Sequence, residues 1–111
     1  MRGKVKVWLS NDDVGFFGPG ALKLLKFMDE KASLKAACAE MNLSYSKGWK
    51  IIRNIELGLN CAILTRQQGG RYGGGCSLTN AGRELTRKYE ELSKRINEVT
   101  QEIYKEIFGE D

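Results

Sequence analysis

The stretch "CAILTRQQGGRYGGGCSLTN", Cys61–Asn80, decides how the rest of the chain is read. Seven of its residues, 69–75, hold five of the chain's thirteen glycines, with Arg71 and Tyr72 between them. A phosphate-cradling loop of the P-loop type needs Lys-Ser or Lys-Thr after its last glycine, and Gly75 is followed by Cys76 and Ser77. No three glycines fall at the G-x-G-x-x-G spacing of a dinucleotide loop either, since Leu78 stands at the third place. What fits is a hairpin: "CAILTRQ" as one strand, the glycine run as its tip and "CSLT" as the returning strand.

Working backward, "YSKGWKIIRNIELGL" carries Gly48, Ile51, Ile52, Ile55 and Leu59 at helical spacing, with Ser44 placed to cap it. Before it, Ser33 caps a shorter helix, "LKAACAEM", rich in small residues, and Asn42-Leu43 breaks the pair apart. Pro19 opens a first helix whose stripe is Leu22, Leu24, Leu25, Phe27 and Met28. Residues 4–10, "KVKVWLS", alternate apolar and polar as a half-buried strand does, and "NDDVGFFGPG" reads as a turn.

Working forward, Thr79 and Asn80 begin a helix expected to run to about Phe108. Leu85, Tyr89, Leu92, Ile96, Val99 and Ile103 recur along it in steps of four and three, as at a coiled-coil seam. At about 1.5 Å per residue such a helix is some 45 Å long, more than a domain of this size can cover. The six residues are therefore expected to form a dimerisation surface, the plainer alternative being a helix folded back on its own domain.

Strand, three helices, hairpin and long helix make a mainly α fold with a small β wing, a winged helix-turn-helix. Residues 1–78 are expected to form the DNA-binding domain and 79–111 the dimerisation helix. Ala37 meets the need for a small residue where the second and third helices touch, and Leu43 the need for an apolar one at the bend.

Two separated motifs narrow this. Ser44-Tyr45 is followed by Trp49, and Gln68-Gly69-Gly70 leads through Arg71 and the glycine run to Leu78-Thr79 and Gly82. On these residues, and over roughly 19–89, the chain resembles the N-terminal DNA-binding domain of the ModE family of molybdate-responsive regulators, within the LysR-type winged helix-turn-helix group. The resemblance implies a homodimer on double-stranded DNA, with residues 44–59 as recognition helix in the major groove and 67–76 as wing on the flanking backbone. It also implies that full-length members bind molybdate through further C-terminal domains, so no oxyanion site is carried over to residues 1–111.

The candidate DNA contacts are Ser44, Tyr45, Ser46, Lys47, Lys50 and Arg53 on the recognition helix, and Arg66, Arg71 and Tyr72 in the wing. A solvated polar helix face and a loop that touches nothing are the alternatives. Trp49 either packs in the core or lies against a sugar–phosphate.

Bulk properties agree with this reading. The 111 residues suffice for one domain, and 18 Lys+Arg against 14 Asp+Glu give a net charge of +4 and a pI near 9.0, which suits a polyanionic partner. Cys38, Cys61 and Cys76 form no paired spacing and histidine is absent, so neither a zinc cluster nor a disulfide framework is indicated. The cysteines read as reduced thiols buried as small apolar groups; a redox switch at Cys76, beside Arg71, is the sharper alternative. No run approaches the ~20 apolar residues of a membrane span, so a soluble cytoplasmic protein is expected. With no histidine and no acid pair, neither an enzyme nor a cofactor is expected. A protein-interaction module of the same fold, pairing with a separate effector, is the competing function.

Overall fold

The computed structural model describes residues 1–12, 14–67 and 75–109. Its elements follow in the order β1 (Leu9–Asn11), β2 (Val14–Phe17), α1 (Pro19–Lys31), α2 (Leu34–Glu40), α3 (Tyr45–Leu59), β3 (Leu64–Gln67), β4 (Gly75–Leu78) and α4 (Asn80–Phe108). Leu24, Leu25 and Met28 of α1 are fully buried and form the centre of the core, joined by Phe17, Ala37, Ile52, Ile55 and Ile63.

The helix starts are set by the expected residues. Ser33 Oγ accepts from the Ala36 N–H at 3.0 Å and Ser44 Oγ from Lys47 N–H at 3.2 Å, each satisfying a first-turn donor that has no partner inside the helix. Thr79 does two jobs. Its Oγ1 donates to the Ala62 carbonyl at 2.8 Å and accepts from Gly82 N–H at 3.1 Å, so the residue that closes the hairpin also opens α4.

α2 and α3 form the helix-turn-helix. Between them Asn42 adopts a left-handed conformation (φ 55°), which asparagine tolerates better than most residues. A Cβ on Gly48 would lie 2.2 Å from Cys38 Sγ, so the two helices approach as closely as they do because position 48 has no side chain. The wing strands β3 and β4 pair antiparallel, Leu64 with Leu78 and Arg66 with Cys76. The Cys76 N–H donates to Ala32 O at 3.1 Å, which ties the hairpin to the end of α1.

The N-terminal region differs from expectation. The strand is confined to Leu9–Asn11, and its partner, Val14–Phe17, lies in the stretch read as a turn. The period-two pattern has another cause, because residues 3–7 lie along α4. Tyr89 donates its hydroxyl to Val7 O at 2.7 Å and Gln101 Nε2 donates to Gly3 O at 2.5 Å. Gly3 and Val7 are half-buried by that contact, while Val5 between them remains exposed. Phe17 then meets Tyr89 edge to face at 4.9 Å.

Only the first turns of α4 belong to this core. Leu85 and Tyr89 are 8% and 3% exposed, whereas Leu92, Val99 and Ile103 on the same stripe are 39%, 52% and 48% exposed. The protruding remainder makes the molecule 58 Å long and 29 Å by 23 Å across. Its radius of gyration, 16.7 Å, exceeds the ~13 Å typical of a compact chain of about 100 residues.

One contact braces α3 against the wing. Glu56 accepts the backbone N–H of the fully buried Ile63 at 2.9 Å. Glu56→Ala leaves that donor unpaired and is expected to cost about 1–3 kcal/mol, read as a lower denaturation midpoint at unchanged m-value. Unchanged stability would show that water replaces the carboxylate there.

Candidate nucleic-acid interface

α3 buries Gly48, Ile52 and Ile55 and turns the opposite side to solvent. At 3.6 residues per turn, Ser46, Lys50, Arg53 and Leu57 project within about 60° of one another on that outward side. All four are exposed. Lys47 and Asn54 form one rim of this face; Tyr45 and Trp49 form the other. Tyr45 is 51% exposed, while Trp49 is half-buried and packs on the core. Ser44 is exposed, but its Oγ is engaged as the helix cap, which makes its contribution architectural.

The electrostatics of this surface are one-sided. The single acid of α3 is Glu56, and its carboxylate is held by Ile63 N–H. Among the described residues, Lys47, Lys50, Arg53 and Arg66 enter no ion pair, whereas Lys26, Lys31, Arg83 and Arg87 elsewhere each do. Three unpaired cations thus lie on α3, with a fourth on the adjoining strand, beside the single acid of the helix.

Arg66 joins that surface by a route the sequence does not disclose. Its guanidinium carbon lies 4.4 Å from the centroid of the Trp49 ring, and Tyr45 meets the same indole edge to face at 6.2 Å. Trp49 therefore packs on the core on one side and meets a cation on the other. Arg71 and Tyr72, the remaining wing candidates, lie outside the described residues, as does most of the span 67–76.

A second unforeseen brace comes from the β1–β2 hairpin. Asn11 Nδ2 donates to the Gly58 carbonyl at 2.7 Å, and a Cβ on Gly58 would lie 2.4 Å from the Phe16 ring. Both ends of α3 are thereby fixed, the first by its cap and the second by this hairpin.

The thiols give no support to a redox site at Cys76. Cys38 and Cys76 are buried and Cys61 is exposed. Burial pushes the Cys76 thiol pKa up despite the opposing pull of Arg66, so the reactive thiolate is disfavoured. Cys61, expected to be buried as a small apolar group like the other two, is instead exposed. Among the described residues no three His, Cys, Asp or Glu side chains converge as metal ligands would, and no helix is long and apolar enough to cross a membrane.

The order and packing of the elements define a winged helix-turn-helix fold. The crystal structure of a LysR family transcriptional regulator superposes on 86% of this chain, and 30% of its own, with a TM-score of 0.58. At 18% identity that likeness is one of fold. No protein-family model matches the sequence. By sequence the chain is ModE-like, its homologues being ModE and MopB proteins. It is 31% identical to the molybdenum transport protein ModE of Azotobacter vinelandii over 71% of this chain and 33% of that protein. It is 28% identical to the molybdenum-pterin-binding protein MopB of Rhodobacter capsulatus, over 81% of this chain and 33% of the relative. Its identity to the DNA-binding transcriptional dual regulator ModE of Escherichia coli K12 is 26%, over 85% and 36%. The chain spans about a third of the length of these relatives.

Proposed function

We propose that the chain is a DNA-binding transcriptional regulator, acting as a homodimer on a two-fold symmetric site without chemistry of its own. The observation that carries this reading is the outward face of α3. Ser46, Lys50 and Arg53 point away from the core, with Lys47 and Arg66 beside them, and the one acid of the helix is occupied elsewhere. A helix with its side chains is 10–12 Å across and fits the ~12 Å major groove of B-DNA. In that pose the face meets base edges while the rims meet the phosphate walls. Cationic groups there release counterions on binding and supply most of the affinity.

The dimer follows from the stripe on α4. Leu92, Ile96, Val99 and Ile103 continue the row that Leu85 and Tyr89 begin inside the core; Leu92, Val99 and Ile103 are exposed and Ile96 is half-buried among the described residues. A second copy supplies the same row in register, and two recognition helices then stand about one turn of DNA apart, ~34 Å. The same stripe favours a second reading, in which the fold captures a different protein partner. No oxyanion site is assigned to the described residues. The names of the relatives connect those proteins with molybdenum, and the chain spans only a third of them.

Selection of duplexes from a random library tests the proposal. The expected product is an inverted repeat with half-site centres about 10 base pairs apart, bound at least ~10³-fold more tightly than scrambled duplex at physiological salt. Enrichment of no sequence would overturn it.

A further inference from the structure

The contact between Arg66 and Trp49 carries an inference that rests on the DNA-binding reading and goes further. Arg66 pairs with Cys76 across the hairpin and continues the inward-facing row to which Leu64 and Leu78 belong, but it lies one step past the edge of the core. Its stem therefore runs over the half-buried Trp49, and the guanidinium comes to rest 4.4 Å from the ring centroid. Tyr45, one turn earlier in α3, packs edge to face against the same indole at 6.2 Å. The Trp49 ring is thus fixed by the core beneath it and by Tyr45 beside it. A free arginine side chain samples many rotamers, and ordering it on binding opposes affinity; here the aromatic face has already selected one.

Location decides what the held cation meets. Trp49 and Tyr45 form a rim of the α3 face, on the side toward β3, and not its centre. Because a helix fills the major groove nearly from wall to wall, a group at its rim meets a sugar–phosphate strand, while base edges face the central positions. Arg66 enters no ion pair among the described residues that a phosphate would have to displace.

We infer that Trp49 is a positioning residue whose indole holds Arg66 at the foot of the wing, where Arg66 neutralises one backbone phosphate bordering the groove occupied by α3. Lysine is a poor substitute at such a place, because the flat guanidinium both stacks and donates in a fixed fork.

The test uses the full chain, its selected duplex and a scrambled duplex, with affinity measured over a range of salt concentrations. Arg66→Ala is expected to weaken both duplexes by the same factor and to reduce the log–log salt slope by about 0.9, the signature of one lost phosphate contact. Trp49→Leu is expected to weaken both about 2- to 5-fold, with Trp49→Phe within about twofold of wild type because it keeps an aromatic face. Adding Arg66→Ala to Trp49→Leu should cost less than it costs alone. A DNA-free arm reads the contact itself: in a Trp8→Phe background, Arg66→Ala should shift the emission of Trp49. Wild-type binding with an unchanged slope in Arg66→Ala would overturn the inference and leave the DNA reading standing. So would equal affinities for Trp49→Leu and Trp49→Phe, or a change in sequence preference on losing Arg66. Absence of wild-type binding to either duplex would overturn both.

Discussion

Replacing Lys50 and Arg53 together by glutamate is expected to weaken duplex binding by at least about 100-fold at physiological salt, with the fold intact. Each reversal removes a cationic donor to base edges at the centre of the face and brings a carboxylate into the negative potential of the groove. The expectation of an intact fold is equally physical. Both side chains are exposed on the side of α3 opposite Ile52 and Ile55, and neither is paired among the described residues. Such surface changes usually move stability by no more than about 0.5 kcal/mol. A mobility-shift titration with a melting curve on the same sample checks both halves. Undiminished binding would remove α3 from the interface. The pair of substitutions also separates the two readings, since a protein partner docked on α4 would be captured as before.

Placing aspartate at both Ile96 and Val99 is expected to leave the winged domain folded and to dissociate the dimer, raising its dissociation constant by about 1,000-fold or more. Each subunit would bring two carboxylates into the apolar seam, and burying even one without a partner costs several kcal/mol. In the proposed dimer the seam is symmetric, so every substitution would act twice. Val99 is exposed and Ile96 half-buried, both beyond the core residues Leu85 and Tyr89, so the change falls outside the core of the winged domain. Sedimentation velocity reads the result directly. A wild-type chain that sediments as a monomer at tens of micromolar would contradict the dimer. A variant that remains dimeric would move the interface to another surface.

Much of the fold was legible because local signals and tertiary packing agree. Ser33 and Ser44 cap the helices they were expected to cap, Thr79 caps the helix expected to begin at Thr79 and Asn80, and Pro19 opens α1. The four-three spacing along α4 marks one continuous stripe, yet spacing alone does not tell a position covered by its own domain from one left uncovered. Leu85 and Tyr89 fall in the first group, Leu92, Val99 and Ile103 in the second. The N-terminus failed for a related reason. Alternation does not say what an extended segment packs against, and residues 3–7 meet a helix that leaves Val5 exposed. The β2 strand was hidden because its four residues include a glycine and stand beside an aspartate-rich turn.

The cationic residues of α3 were visible individually, since their exposure follows from their phase against Gly48, Ile52 and Ile55. The Arg66–Trp49 contact joins positions 17 residues apart on different elements, and no periodicity links them. Glu56 likewise shows only as an acid on a basic helix until the Ile63 N–H is seen to occupy it.

The central claim is that α3 and the foot of the wing together face the DNA. Amide and side-chain NMR shifts of the chain, recorded while its selected duplex is titrated in, test this at single-residue level. The largest changes are expected at residues 44–54 and at Arg66, with residues 92–103 nearly unmoved once the dimer is formed. Changes concentrated on residues 92–103, with 44–54 silent, would contradict it.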